Sequence, residues 1–169
     1  MLLDIITCTD ARLKQQSKKV TVFDSDLNTL IQNMFDSMYA ANGIGLAAIQ
    51  VAVPLRLFVI DIPQTTECPL VCINPVISQR SRDTMEYNEG CLSLPGINYT
   101  ITRPRSIEFS YTDINNQKVN IIATDLLSIC IQHELDHLDG ILFIERAPRR
   151  AKKNITKLLE KNGLVMPIL

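Results

Sequence analysis

Residues 125 to 140 read DLLSICIQHELDHLDG, and this stretch decides the fold of the chain. Its apolar side chains recur at three- and four-residue spacings, which predicts an α-helix over residues 125 to 138. Asp139-Gly140 is a typical helix end. One face of this helix carries Leu126, Ile129, Cys130, His133 and His137. We therefore expect both imidazoles to point into the interior of the protein.

The sequence His133-Glu134-Leu135-Asp136-His137 is an H-E-x-x-H motif. Residues four apart on a helix lie one above the other, so both imidazoles can reach one cation. Glu134 is placed to take a proton from a water molecule at that cation and to pass it on. Short motifs occur by chance on surface helices, but His133 and His137 are the only histidines of this chain. A buried imidazole pair beside a carboxylate needs a partner, and we predict a metal ion.

A catalytic metal site needs a third protein ligand and one open position. No histidine follows His137, Glu145 is too close in sequence to fold back easily, and Glu160 lies in a basic segment. The third ligand is therefore expected upstream, with a thiolate as the strongest candidate. Cys91, in Glu89-Gly90-Cys91-Leu92-Ser93, follows a glycine on a backbone that is about to turn.

Residues 43 to 50, GIGLAAIQ, form a third feature. Two glycines and two alanines allow the backbone to approach a ligand closely. Gln50 is the only polar side chain of this segment, and its amide could donate a hydrogen bond to a developing oxyanion. A tight helix-to-strand turn would have a similar sequence, so this segment alone is weak support for a site.

Two further helices are predicted from apolar periodicity. One covers residues 26 to 41, with Ser25 as its N-cap and Asn42-Gly43 as its end. The other covers residues 149 to 162 and is basic and amphipathic. Both flank the part of the chain in which strands are expected.

Strands are predicted where β-branched and apolar residues cluster between turn residues. Residues 56 to 62 form one strand, and residues 70 to 77 form another, in which Pro75 indicates an edge or a bulge. Residues 106 to 122 are expected to form a hairpin that turns at residues 113 to 116. Helices on either side of antiparallel strands indicate an α+β fold.

The composition fits one globular domain over residues 1 to 169. Hydrophobic residues make up 46% and charged residues 21%, which excludes a disordered chain. The net charge of −1 gives no overall attraction to DNA or to a membrane. No apolar run reaches the roughly 18 residues of a membrane span. The first seven residues do not resemble a secretory signal.

The cysteine count indicates a reducing compartment. Five cysteines are an odd number in a chain too large to need a disulfide framework, so we expect free thiols in the cytoplasm. The four cysteines that fit a structural role better than a catalytic one are Cys8, Cys68, Cys72 and Cys130. Of these, Cys130 is expected in a pocket wall.

Charge is concentrated near the end of the chain. Residues 146 to 162 contain seven basic residues and one acid, so this segment carries +6 while the remainder carries −7. Such a stretch indicates either a local docking surface or a solvated helix face.

Together, GIGLAAIQ, EGCLS and QHELDH resemble the three signature motifs of the peptide deformylase family. The segments VPLRLFVIDI, NPVI and GILF between and after these motifs resemble family sequence as well. The resemblance covers roughly residues 1 to 160. It implies an α+β fold of antiparallel sheets around the helix with the two histidines. It also implies removal of the N-formyl group from formyl-methionine at the start of nascent bacterial proteins, which gives formate and a free amino terminus.

The resemblance also implies roles for individual residues. The implied metal ligands are Cys91, His133 and His137. Glu134 becomes the general acid/base, and the side-chain amide of Gln50 and the backbone N–H of Leu92 become the donors to the oxyanion. The family metal is Fe²⁺, with Zn²⁺, Ni²⁺ or Co²⁺ as substitutes, whereas ligand chemistry alone favours Zn²⁺.

For the substrate, the resemblance implies a peptide that pairs like an added strand with the backbone of Ile44, Gly45 and Gly90. The expected pocket for the methionine side chain consists of Ile44, Tyr87, Leu126, Ile129 and Cys130. Glu89 and Arg103 resemble a family ion pair that supports the cysteine loop, although Arg103 read alone fits an ordinary surface charge.

Two departures from the family pattern concern the loops near the site. Val51-Ala52 replaces the more usual Val-Gly, and residues 96 to 101 differ near the substrate entrance. The preference for peptide residues after methionine is therefore left open. In some bacterial members the C-terminal helix docks on the ribosome, and the basic segment 146 to 161 suits contact with RNA phosphates.

Two other functional classes compete with this interpretation. A zinc endopeptidase of H-E-x-x-H type would cleave inside unblocked peptides and would use a downstream ligand, which this chain lacks. A non-catalytic, metal-bearing ribosome-binding module would lack a catalytic group, whereas Glu134, Gln50 and Cys91 are all present.

Overall fold

The computed structural model describes residues 1 to 165. The α-helices are α1 (Ser25–Ala40), α2 (Asp125–Leu138) and α3 (Lys152–Lys161). The strands are β1 (Gly45–Ala47), β2 (Leu57–Ile60), β3 (Leu70–Arg80), β4 (Thr84–Cys91), β5 (Leu94–Pro104), β6 (Ser106–Thr112) and β7 (Lys118–Thr124). Short 3₁₀ helices cover Ala11–Lys14, Ala48–Val51, Phe143–Arg146 and Arg149–Ala151. The α+β class predicted from the sequence is confirmed.

Helix α1 is found where periodicity predicted it, but its cap differs. The Asp24 carboxylate accepts a hydrogen bond from the Leu27 amide at 2.9 Å, so the predicted cap at Ser25 was wrong. Asp24 has an extended backbone, as a cap requires, whereas Ser25 already belongs to the helix. The buried face of α1 carries Leu27, Ile31, Met34 and Met38.

The strands form two antiparallel sheets. The larger sheet has the order β1-β2-β3-β6-β7, and the smaller sheet is the hairpin of β4 and β5. The hairpin predicted over residues 106 to 122 is confirmed as β6 and β7. Strand β3 runs further than predicted, to Arg80, and its pairing is irregular between Ile73 and Val76, on either side of Pro75. Strands β1, β4 and β5 were not predicted.

Helix α2 has the bounds that the sequence predicted, and it lies at the centre of the molecule. Eleven of its fourteen residues are buried. It contacts β1, β2, β6 and β7 of the larger sheet and β5 of the smaller one. Ile131 and Leu138 join Phe58 and Phe109 in the main apolar cluster. Because α2 contacts both sheets, its remaining side chains reach the space between them.

The C-terminal helix is shorter than predicted. Residues 149 to 151 form a 3₁₀ turn, and α3 follows. Ile155 and Leu159 of α3 share an apolar cluster with Leu94 and Ile97 of β5, so this helix packs on the small sheet. None of the helices within residues 1 to 165 is long and apolar enough to cross a membrane.

Candidate metal centre and pocket

Three ligand atoms converge where β4 ends beside α2. The Cys91 sulfur and one ring nitrogen each of His133 and His137 all lie within 4.8 Å of one another. The distance from Cys91 Sγ to His137 Nε2 is 3.2 Å. Sulfur and nitrogen ligands of a single tetrahedral ion are separated by roughly 3.5 Å, so this donor set fits one divalent cation.

His133 is oriented by a carboxylate on the neighbouring sheet. Its Nδ1 lies 2.7 Å from Glu89 Oε2. An ionised carboxylate can only accept, so the proton is on Nδ1 and Nε2 is left for a metal. Burial by itself raises the pKa of Glu89, but hydrogen bonds from His133 and Arg103 outweigh burial and lower that pKa below its usual value.

The two imidazoles have opposite pKa shifts in the metal-free protein. Burial disfavours a charge on both rings. For His133, hydrogen bonds to Cys91 and Glu89 outweigh burial and raise its pKa well above the usual value. For His137, burial is reinforced by repulsion from His133 and Arg103, so its pKa falls well below the usual value. A metal ligand must be a neutral imidazole, so metal binding is coupled to the protonation of these two rings.

Glu89 belongs to a longer buried network of ion pairs. Arg103, which is 4% exposed, donates to both oxygens of Glu89 at 2.6 and 3.1 Å. The same guanidinium donates to Asp136 Oδ2 at 2.8 Å. Arg146 donates to both oxygens of Asp136 at 2.5 and 3.1 Å. Asp136 had no predicted role, and Arg146 was predicted only as part of the basic segment 146 to 161. An acid inside a buried helix is nevertheless a signal for a buried partner.

Glu134 is buried next to the ligands and has a free oxygen. Burial raises its pKa to about 7. Its Oε2 has no hydrogen-bond partner among residues 1 to 165. Its Oε1 lies against the backbone of Gly45, where a Cβ atom would meet it at 2.5 Å. A buried carboxylate oxygen without a hydrogen-bond partner, next to three metal-ligand atoms, suits Glu134 to exchange protons with water.

The amide of Gln50 is held in one orientation. Its Oε1 accepts from the Ala47 backbone N–H at 2.8 Å. This fixes Nε2 on the other side, where it donates to Ser93 Oγ at 3.1 Å and lies 3.6 Å from Cys91 Sγ. The amide donor therefore faces the metal cluster, while the carbonyl oxygen points away from it.

Two of the three ligand residues, Cys91 and His133, line a cavity of about 420 Å³. The cavity is lined by the five predicted side-chain contacts, Ile44, Tyr87, Leu126, Ile129 and Cys130. It is also lined by Gly45, Gln50, Glu89, Gly90, Cys91, Leu92, His133 and Glu134. His137 and Arg103 are not among the residues that line it. The remaining lining residues had no predicted role in the site; they are Asn42, Gly43, Asn88, Leu94, Pro95, Gly96, Ile97 and Asn98.

A Cys-His-His cluster beside a buried glutamate, on a central helix that opens into a pocket, defines a metal-dependent hydrolase with a single metal ion. The model of the polypeptide deformylase family matches residues 2 to 153. The chain belongs to this family. Its activity is removal of the N-formyl group from nascent peptides.

Individual relatives are similar over nearly the whole chain. Peptide deformylase 1 of Pseudomonas syringae pv. tomato is 39% identical over 160 residues, which cover 95% of each chain. Peptide deformylase 2 of Gloeobacter violaceus is 46% identical over 146 residues, 85% of this chain and 78% of that one.

Solved structures show the same architecture. A peptide deformylase from Synechococcus elongatus in complex with actinonin superimposes with a TM-score of 0.89 at 42% identity, covering 96% of this chain and 87% of that chain. A peptide deformylase from Legionella pneumophila has a TM-score of 0.89 at 37% identity, with 96% of each chain covered.

Proposed function

We propose that this chain hydrolyses the formyl amide of formyl-methionine peptides at the pocket between α2 and β4. The observation that carries the proposal is the convergence of three ligand atoms beside the unpartnered oxygen of Glu134. Cys91, His133 and His137 hold one divalent metal. Fe²⁺ is the ion proposed in the cell, and Zn²⁺, Ni²⁺ and Co²⁺ suit the same thiolate and imidazole donors.

When bound, the cation would act as a Lewis acid, which would lower the pKa of a water molecule and polarise the formyl C=O bond. Glu134 takes a proton from the attacking water as the new C–O bond forms at the formyl carbon. The resulting oxyanion accepts hydrogen bonds from Gln50 Nε2 and the Leu92 backbone N–H. Glu134 then gives the proton to the leaving nitrogen as the C–N bond breaks, which yields formate and a free amine.

The substrate peptide is proposed to extend the larger sheet. β1 is its edge strand and, within residues 1 to 165, pairs only with β2, so the other side of β1 can accept a further strand. The backbone of Ile44 and Gly45 on one side and of Gly90 on the other pairs with the peptide. The methionine side chain then enters the cavity and packs against Ile44, Tyr87, Leu126, Ile129 and Cys130. A cavity of about 420 Å³ accommodates a side chain of this size.

A cellular setting follows from the substrate. Formylated nascent chains are made in the bacterial cytoplasm, and the proposal places this enzyme there as one catalytic domain over residues 1 to 169. The basic segment 146 to 161 is proposed to contact the ribosome. Lys153 and Lys157 are exposed on the face of α3 opposite Ile155 and Leu159, and Lys152 is exposed at the start of the helix. These side chains suit phosphate contacts. The alternative is a solvated face without a partner.

The activity is tested by formate release from a formyl-Met peptide, using protein purified and loaded with Fe²⁺ without oxygen. We expect turnover by the wild type and a loss of about 10² to 10⁴-fold in kcat for Glu134→Gln, because the proton-transfer group is removed. Glu160→Gln, at an exposed position of α3, is the matched control and should keep full activity. Metal-loaded wild type without formate release, or with cleavage inside unblocked peptides instead, overturns the proposal.

A further inference from the structure

A continuous line of ion pairs leads from the metal cluster to the protein surface. It begins at His133, continues through Glu89 and Arg103, and reaches Asp136 and then Arg146. Each link is 2.8 Å or shorter at its closest contact. The first four side chains are at most 10% exposed, whereas that of Arg146 is 48% exposed.

Arg146 completes the charge balance of this line. Glu89 and Asp136 bring two negative charges into the interior, and Arg103 brings one positive charge. Arg146 supplies the second positive charge from the 3₁₀ helix Phe143–Arg146, just after α2. Among residues 1 to 165, Arg146 is the only hydrogen-bond donor to Asp136 Oδ1. Its removal would leave a buried acceptor unpaired and a net negative charge beside the ligand helix.

Arg146 also restricts the position of Arg103, because both arginines bind the same carboxylate, that of Asp136. Asp136 Oδ2 accepts from both guanidinium groups, from Arg103 at 2.8 Å and from Arg146 at 3.1 Å. Held between two arginines, the carboxylate fixes the end of Arg103 that does not face Glu89. Arg103 in turn fixes Glu89, and Glu89 sets the ring orientation and tautomer of His133.

We infer that Arg146 is a positioning residue of the metal centre, which holds His133 in its metal-binding orientation through Asp136, Arg103 and Glu89. The inference rests on the proposed function, because it takes Cys91, His133 and His137 as the metal ligands. The inference gives Arg146 a different role from the other basic residues of segment 146 to 161, which are proposed to contact the ribosome. Arg146 is directed inward at Asp136 and acts on the metal centre.

The test uses metal-free protein titrated with Co²⁺ in competition with a chelator. The absorption spectrum of bound Co²⁺ reports the ligand geometry independently of turnover. Arg146→Ala is expected to weaken Co²⁺ binding by about threefold to tenfold, because three residues lie between Arg146 and His133 in this line and direct hydrogen-bond partners of metal ligands contribute roughly 10- to 100-fold. Its d–d bands should shift, kcat should fall and KM for a formyl-Met peptide should stay unchanged. Arg146→Lys keeps the positive charge but cannot form the bidentate contact with Asp136, so it should recover only part of the lost Co²⁺ affinity.

Arg12→Ala is the matched control, since Arg12 also contacts both oxygens of an aspartate, Asp10, and its side chain is 52% exposed. It should leave the Co²⁺ affinity and spectrum as in the wild type. If Arg146→Ala matches Arg12→Ala in both readouts, or lowers only the melting temperature, the inference is wrong. Arg146→Gln serves if the alanine variant does not fold. A wild type that binds no Co²⁺ overturns the proposed metal centre instead.

Discussion

Gly45 lies so close to Glu134 that a Cβ atom at position 45 would meet Glu134 Oε1 at 2.5 Å and Cys130 Sγ at 3.0 Å. The absence of a side chain at position 45 of β1 thus leaves room for the carboxylate proposed as acid/base. Real Cβ atoms do not approach an oxygen this closely, so any side chain at position 45 must displace Glu134.

We therefore expect Gly45→Ala to lower kcat by about tenfold to hundredfold, because a displaced carboxylate transfers the proton poorly. The measurement is formate release under saturating peptide. The double variant Gly45→Ala/Glu134→Gln separates this cause from general damage. If displacement of Glu134 is the cause, the double variant is no slower than Glu134→Gln alone. A full additional loss in the double variant would show that Gly45 acts in another way.

The sequence was sufficient to predict α2 but not the sheet that faces it. The period of α2, its end at Asp139-Gly140 and the spacing of its histidines are local signals, and the helix has the predicted bounds. Strand β4 places a charged residue, Glu89, on its inner face, because Arg103 and His133 are there to receive it. No local pattern reveals that partnership, so β4 does not look like a strand whose inner face is apolar.

The predicted site residues lie in local motifs, whereas the roles of the missed residues depend on partners elsewhere in the chain. Cys91 and the two histidines are carried by motifs, and the structure brings their ligand atoms together. Asp136 also lies in a motif, but its role depends on Arg103, far away in sequence, and on Arg146, which reaches back from the next turn of chain. Contacts of this kind depend on tertiary packing, so the periodicity of apolar residues in the sequence does not predict them.

The raised pKa of Glu134 predicts a pH-dependent stability of the metal-free protein. The folded-state pKa is about 7, above the usual value of 4.5, so the folded state binds the proton more tightly than the unfolded state. This contribution is fully present below about pH 4.5 and is lost as the pH rises through about 7. The free energy of unfolding should therefore fall between pH 5 and pH 8, by on the order of 2 to 3 kcal/mol from this group.

Glu134→Gln cannot ionise and should lack this contribution. Urea unfolding of metal-free wild type and Glu134→Gln at pH 5 and pH 8 measures it, with Glu160→Gln as the surface control. The stability advantage of Glu134→Gln over the wild type should grow toward pH 8. An equal difference between the two proteins at both pH values would contradict the assigned shift.

The Cys91 thiolate is predicted to be essential for metal retention. Cys91→Ser replaces a strong sulfur donor with a hydroxyl that stays protonated at neutral pH, so two imidazoles are left to hold the ion. We expect at least about a hundredfold loss of Zn²⁺ affinity, measured by chelator competition. Cys68→Ser is the control, since Cys68 is an exposed free thiol, and it should bind as the wild type does. Retention of metal by Cys91→Ser would mean that another group is the third ligand.

Ala52 offers a test of the loop that follows Gln50. Its φ of 64° lies in the left-handed region, at the end of the 3₁₀ helix Ala48–Val51, and an alanine there is strained by about 1 kcal/mol. Glycine adopts this conformation freely, so Ala52→Gly should raise the free energy of unfolding by up to about 1 kcal/mol, less the entropy that glycine adds to the unfolded chain. Ala40→Gly, at the exposed end of α1, should do the opposite by roughly 0.5 to 1 kcal/mol. Urea unfolding of the three proteins decides the matter, because a destabilised Ala52→Gly would show that the loop is not strained at Ala52.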